Sequence, residues 1–438
     1  MNRFKTVLKL KGFPIKAATK ELKIIQQNFN NAGLAYVEKQ LWEIFNFHKN
    51  NTFFYKGLIR NNTINKWEDI PIMTKHDLQI PLEKRLSEGY SKNQVFVNKT
   101  SGSSGHPFIF AKDKFAHALT WSHIIDLYKQ HGIIIGKSLE ARFYGIPKDF
   151  KGHQKELLKD KIAKRYRFNI FDLSDHNLSE FVKIFQKKPF EYINGYTSSI
   201  VVFAKYLQRE NIVLKRISPS LKICITTSEM LFEDDRKLLE DVFGIPIINE
   251  YGASELGVIA FENTNNDWLL NTQTMHVEVV DEKGKILPFG KKGEIVITSL
   301  HNKAHPFIRY KIGDIGALSQ PDLNGQQVLE RLTGRTNVFA YLPSGKKVPA
   351  LSFYYVTKSV IENNGKVKEL KVIQMTKTIF LIKYVADEDL HQHQKTSIKK
   401  AIEKYLESGL ELKFERLDHL ERTGRGKLRQ FESKIVAE

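Results

Sequence analysis

The sequence predicts an α/β protein in two parts: a large N-terminal domain of α/β sheets with a small barrel-like piece over 1–334, then a small α+β domain over 335–438. Three observations support this. Apolar β-branched runs alternate with amphipathic helical segments through the middle of the chain, the pattern of largely parallel sheets. The segment Met275–Leu300 changes texture, to two strands around a Gly- and Pro-punctuated loop. After the polar, Gly- and Pro-bearing stretch TGRTNVFAYLPSGKKVPA comes a final region of about 100 residues, large enough for a separate lobe.

Roughly the first 90 residues read as helical and polar, with Trp42, Phe45, Phe53 and Phe54 available to dock them on a core. A strand-like stretch, NQVFVNKT, runs straight into a Gly- and Ser-rich turn at Thr100–Pro107. Strands are expected at Tyr192–Asn194, Leu221–Thr226, Ile245–Ile248 and Glu294–Ser299. Between them EFVKIFQKK, SSIVVFAKYLQRE and EDDRKLLEDVFG carry apolar residues at helical spacing. In the last region KELKVIQMT and TIFLIKYVAD read as paired strands, HQKTSIKKAIEKYLES as a helix and LELKFERLD as a further strand.

Composition excludes several classes. With 41% hydrophobic and 27% charged residues, the 438-residue chain is neither disordered nor fibrous. No apolar run approaches the roughly 20 residues of a membrane helix, and the basic start lacks a signal-peptide cleavage pattern. The single cysteine, Cys224, permits neither an internal disulfide nor a Cys-rich zinc site, so the expected location is cytoplasmic. The net charge of +19 draws anions: nucleotides, coenzyme A, acidic carriers, nucleic acid or anionic headgroups. The lysines are dispersed, and KDFKGHQKELLKDKIAKRYR reads first as a solvated helix or loop face. No nucleic-acid-binding signature accompanies it.

Four segments carry chemistry. TSGSSGHP (Thr100–Pro107) has two glycines that let successive amides point at one anion, and hydroxyls that suit phosphate oxygens. It lacks the Walker spacing, and alone it equally describes a flexible loop. NEYGASELG (Asn249–Gly257) follows an apolar strand, where open α/β sheets bind ligands. Tyr251 can stack on a base, Gly252 permits close backbone approach and Glu255 can hold Mg²⁺; a strand-to-helix turn capped by Ser254 is the plain alternative. RYKIGDIG (Arg309–Gly316) offers Asp314 as an acceptor for ribose hydroxyls, or as an ordinary turn aspartate. ERTGRGKLRQ (Glu421–Gln430) places Lys427 in a glycine-bearing loop, free to reach a phosphate, or in a simple basic tail.

In this order the motifs resemble the adenylate-forming enzymes: acyl-CoA synthetases, luciferases and peptide-synthetase adenylation domains. Within these the chain is most similar to the phenylacetate–CoA ligase branch and its relatives encoded with capsule and surface-polysaccharide genes. EDIPIMTKHDL, INGYTSSIVVFAKYL, TTSEML, ILPFGKKGEIVITSL and HPFIRYKIGD carry that resemblance, which runs from about residue 65 to 430. The resemblance implies that Ser101, Gly102, Ser103, Ser104 and Gly105 wrap the ATP phosphates. It sets Thr227, Ser228 and Glu229 against adenine and the acid, and runs Glu250, Tyr251, Gly252, Ala253 and Ser254 along the nucleotide. Tyr251 would stack on adenine, Glu255 would take Mg²⁺, Asp314 would hold the ribose with Arg335 nearby, and Lys427 would be the catalytic lysine. Tyr144, Tyr196 and Ser228 are candidate acid-binding residues.

The same resemblance implies a mobile C-terminal lobe hinged at Thr336–Asn337, with Asn337 where the family has aspartate. Hydroxyl-bearing Ser103 and Ser104 replace frequent threonines, and Phe108 replaces a frequent lysine. The implied activity is ATP- and Mg²⁺-dependent adenylation of a small carboxylic acid, then thioester formation with coenzyme A, without zinc. Transfer to an amine or hydroxyl of a polysaccharide precursor, or to a carrier protein, is the alternative. A silent scaffold and a nucleic-acid-binding protein are the rivals from other classes. The expected assembly is a monomer or homodimer.

Overall fold

The computed structural model describes all residues except 1, 101–107, 146–149, 336–338, 350–366, 424–425 and 436–438. A seven-stranded sheet organises the N-terminal part. Its strands are β3 (Glu140–Phe143), β4 (Arg165–Arg167), β5 (Tyr192–Tyr196), β6 (Ile223–Thr227), β7 (Ile247–Ala253), β8 (Gly257–Glu262) and β9 (Trp268–Leu270), in the order β4-β3-β5-β6-β7-β8-β9. The pairs from β4 to β7 are parallel, and β7, β8 and β9 are antiparallel. Ahead of it, β1 (Phe96–Lys99) and β2 (Ile109–Lys112) form an antiparallel ribbon flanking the Ser/Gly segment.

Helices cover the parallel strands because their apolar residues recur on one face. Helix Asp175–Lys187 buries Leu178, Phe181, Val182 and Phe185, spaced i, i+3, i+4 and i+7. These join Phe143, Phe168 and Phe203 in an aromatic core, with Phe168 and Phe185 stacked at 5.2 Å. Burying each such ring contributes about 1.5–3 kcal/mol. Gly195 lets β5 lie close to β3, since an added Cβ would stand 2.4 Å from Phe143 backbone oxygen. On the other side, helix Ile15–Ala32 packs Leu22, Ile25 and Phe29 around Ala118 and Leu119 of helix Lys114–Gln130. Phe45 docks as expected, whereas Phe53 is 83% exposed and anchors nothing.

The barrel-like piece is a four-stranded antiparallel sheet of β10 (Met275–Val280), β11 (Gly293–Ser299), β12 (Tyr310–Leu318) and β13 (Leu329–Arg335), in that order. Its core residues, Val277, Ile295, Ile297 and Tyr310, pack with Tyr251 and Ile259 of the large sheet. Arg309 locks an early segment onto it: the guanidinium pairs with Glu278 at 3.1 Å and donates to Glu68 and Ile70 carbonyls at 2.8 Å. Both partners are buried, so the pair holds only because those extra hydrogen bonds complete it.

After the short hairpin β14 (Phe339–Tyr341) and β15 (Lys347–Pro349) comes a second α+β layer. It comprises β16 (Val367–Gln374), β17 (Ile379–Ala386), helix Gln392–Tyr405, β18 (Glu411–Leu417) and β19 (Phe431–Ser433), with sheet order β18-β17-β16-β19. The paired strands, the helix and the third strand fall where the sequence places them. The three-residue β19 is too short to carry a pattern. Val372, Phe380, Ile382, Ile398 and Ile402 give this layer its own core. The architecture is α/β, as the sequence reading expects. Among the described residues no helix is long and apolar enough to cross a membrane.

Candidate active site

The carboxyl ends of adjacent parallel strands form a row, and there the candidate residues meet. Tyr196 ends β5, Thr227 ends β6, and Glu250, in the middle of β7, is the last residue there paired with β6, in register with Thr227. Tyr144 follows β3 directly, its ring 4.6 Å from that of Tyr196. A cavity of about 340 Å³ opens over this row, within the range of small-molecule sites. Thr227, Ser228, Glu250, Gly252, Ala253, Ser254, Glu255, Asp314, Lys427 and Tyr144 all line it.

The Tyr-Gly-Ala-Ser-Glu motif is not a strand-to-helix turn. It runs through the end of β7 and folds back as a hairpin into β8. Gly252 is required at this crossing, because a Cβ there would meet Gly257 carbonyl oxygen at 2.7 Å. Asp314 likewise sits within β12 rather than in a turn. Two tyrosines stitch the sheets together here. Tyr251 hydroxyl donates to Asp314 Oδ2 at 2.7 Å, and Tyr310 hydroxyl donates to Glu255 Oε1 at 3.2 Å. Tyr251 is buried, its ring 6.1 Å from Trp268. Arg335 closes β13 with its Cα opposite Asp314. Ser101, Gly102, Ser103, Ser104 and Gly105 lie outside the described residues, as does Asn337.

Lys427 reaches this row from the C-terminal layer. Its Nζ donates to Ser228 carbonyl oxygen at 3.3 Å and stands 5.7 Å from the centre of the Tyr196 ring. Ser228 holds φ = +70°, a left-handed conformation unusual for serine that turns its carbonyl toward the lysine. Glu229 clamps the approach. One carboxylate oxygen accepts from Ser198 N at 2.8 Å, in the first turn of helix Thr197–Arg209, and the other accepts from Leu428 N at 3.1 Å. Arg422 adds donors to Ser198 and Ser199 hydroxyls, each at 3.2 Å.

Sequence reasoning missed the cationic wall. Lys112 is buried at the end of β2, donating to Leu256 carbonyl oxygen at 2.9 Å and Thr120 hydroxyl at 3.2 Å. Burial pulls its pKa down to about 8, opposed by the charges of Glu255 and Asp113. The signal was the alternation Phe108, Phe110, Lys112, which sets the lysine on the same strand face as two core aromatics. From helix Lys114–Gln130, His117, Thr120, Trp121 and Ile124 line the cavity with one helical face. Burial, and then the Lys112 charge, hold His117 down at about 3.

No protein-family model matches the chain. Protein CapK of Staphylococcus aureus is 26% identical over 311 residues, 68% of this chain and 66% of that one. Phenylacetate-coenzyme A ligase of Aromatoleum evansii is 29% identical over 123 residues, 27% of this chain and 28% of that one. The matched stretches thus span about two thirds of CapK and little more than a quarter of the ligase. Among solved structures, 2-hydroxyisobutyryl-CoA ligase in the postadenylation state with R3-HIB-AMP superposes with TM-score 0.69 at 15% identity, covering 91% of this chain and 88% of the other. The fold is that of the adenylate-forming enzymes. The chain is homologous to CapK and to phenylacetate-CoA ligases, as its motif order implies. The same 2-hydroxyisobutyryl-CoA ligase in its thioesterification state, with 2-HIB-AMP and CoA, gives a lower TM-score of 0.55.

Proposed function

We propose that the chain activates a carboxylic acid with ATP and passes the acyl group to coenzyme A. The observation that carries this reading is the meeting of Lys427, Thr227, Glu255 and Asp314 around one cavity, although they come from four separate stretches of chain. In the first step an oxygen of the acid's carboxylate attacks the α-phosphorus of ATP and pyrophosphate leaves. Both reactants are anions, so the site must neutralise charge while aligning them. Lys427, aimed at the Ser228–Tyr196 corner, would hold the carboxylate against the α-phosphate. Asp314 would receive the ribose hydroxyls, oriented by Tyr251.

Glu255 suits one protein ligand of Mg²⁺. It is buried in the cavity wall, and among the described residues no cluster of three ligating side chains exists. Phosphate oxygens and water would supply the remaining ligands, and the ion would neutralise phosphate charge. Then the C-terminal lobe, 335–438, would turn about the Asn337 region and withdraw Lys427. The thiol of coenzyme A attacks the acyl carbon, loses its proton, and AMP departs. A higher TM-score to a postadenylation state than to a thioesterification state supports placing this arrangement before the transfer step.

Acid-dependent exchange of labelled pyrophosphate into ATP tests the reading, with loss of free thiol as the second readout. Exchange with thiol loss is expected for the true acid. Exchange without thiol loss would redirect the transfer step to an amine, hydroxyl or carrier acceptor. ATP binding with no exchange across aryl, fatty, hydroxy and amino acids would remove the adenylation reading.

A further inference from the structure

One charged group in the cavity, which the motif resemblance runs along the nucleotide, takes no part in the steps proposed above. Glu250 lines the cavity from β7, with Thr227 hydroxyl donating to Oε1 at 3.1 Å and Tyr128 hydroxyl to Oε2 at 3.4 Å. Tyr128 is committed to that direction, since its oxygen accepts from Asn194 Nδ2 at 3.3 Å. No described cation pairs with Glu250. Arg142, whose charge reaches it, is engaged by Glu140 at 2.6 Å. Two hydroxyls leave a carboxylate with unfilled lone pairs, on a residue that lines the cavity.

Its position assigns it to the acid. The helix face lining the cavity runs from His117, beside Lys112, to Ile124, one turn before Tyr128. Seven residues of helix span about 10 Å, so the cavity has one end near Lys112 and Glu255 and a second end at Glu250. Lys427 Nζ meets the row at Ser228, next to Thr227, the cross-strand neighbour of Glu250. An acid whose carboxylate met Lys427 would extend its body toward Tyr144, Ile124 and Glu250.

Resting on the proposed adenylation, we infer that this site selects an acid carrying a hydrogen-bond donor, an amine or a hydroxyl, on the part remote from its carboxylate, and that Glu250 is the specificity-determining acceptor. Burial raises the Glu250 pKa, so its charged form gains from a further hydrogen-bonding partner. A ligand donor supplies that partner, whereas an acid without one leaves Glu250 enclosed and unsatisfied. A site built to bind such a group rejects analogues lacking it far more strongly than an apolar pocket rejects a missing methylene.

The test is pyrophosphate exchange with matched acids differing only in the donor. One series is phenylacetate and its para-hydroxy, para-aminomethyl and para-methoxy derivatives; the other is butanoate with the same groups on its third carbon. Within the series that fits, kcat/KM should favour the hydroxyl or amine member over the unsubstituted and methoxy members by about 100-fold or more. Glu250→Leu should collapse that ratio to near unity. Glu250→Gln separates the donors, retaining preference for a hydroxyl and losing it for an ammonium. Equal use of unsubstituted and donor-bearing acids by the unaltered protein overturns the inference, as does a preference that survives in Glu250→Leu. In both cases adenylation itself still stands. Exchange with an acid of the broader panel that carries no remote donor would overturn the inference in the same way, and failure of that whole panel would remove adenylation itself.

Discussion

Tyr251 and Lys427 meet the cavity in different ways, and the difference sets what each substitution should do. Lys427 is a half-buried cation that donates to Ser228 carbonyl oxygen, so its truncation removes a side chain from the site and none from the core. Lys427→Ala should therefore fold normally, keep most of its ATP affinity and lose pyrophosphate exchange by about 10²–10³-fold. Unchanged exchange would remove its catalytic assignment. Tyr251 instead donates to the buried Asp314 carboxylate. Hydrogen bonds to charged groups contribute about 1.5–3 kcal/mol, so Tyr251→Phe should weaken ATP binding by roughly that amount by mis-setting Asp314. Tyr251→Ala would remove the ring as well. If Phe and Ala behave alike, the hydroxyl is what matters; if Phe is silent, the ring is.

At the scale of elements, Glu229 is where the two layers are tied at the cavity. Its carboxylate joins the first turn of helix Thr197–Arg209 to the backbone of Leu428, one residue after the lysine. The helix end favours a negative charge there, because its first amides have no partners inside the helix. Glu229→Ala should release the Lys427 segment and slow adenylate formation by about 10-fold or more. Transfer from a preformed adenylate should change far less, as single-turnover assays of each half-reaction would reveal. Equal slowing of both would show that Glu229 does not act as a latch.

This role also marks the limit of what the sequence discloses. Strands β5, β6, β7, β10 and β11, and the helices between them, are legible because burial writes a period into the chain. Thr227, Glu250, Glu255, Asp314 and Lys427 are legible because each is a chemical group set in a recognisable order. Which way a carboxylate turns is decided by residues distant in sequence. Glu229 faces Leu428, 199 positions away, and Glu250 faces Tyr128, 122 positions away, so neither partnership leaves a local pattern. Lys112 reads as one lysine among many until the fold encloses it.

The whole molecule has an acid weakness that follows from the same enclosure. His48 and His123 are buried and His301 is partly buried, and desolvation lowers each pKa to about 4. His48 Nε2–H donates to Asn302 carbonyl oxygen at 2.9 Å, and Nδ1 faces Thr52 hydroxyl at 2.8 Å, an arrangement filled by the neutral ring. In the unfolded chain these rings titrate near 6.5. Between about pH 6.5 and 4 the unfolded state therefore binds protons that the folded state refuses, and stability falls as pH falls. A shift from 6.5 to about 4 corresponds to roughly 3 kcal/mol for His48 alone. Glu250, Glu262 and Glu369 have raised pKa values from burial and oppose the trend, since their folded forms take up protons first. The excess of positive charge sides with the histidines, because each proton gained adds to a chain already at +19. Thermal unfolding followed from pH 7 to 4.5 should show a steady drop in midpoint, smaller in His48→Gln than in the unaltered chain. A flat profile, or one identical in the variant, would mean that the His48 ring accepts its proton without opening the fold.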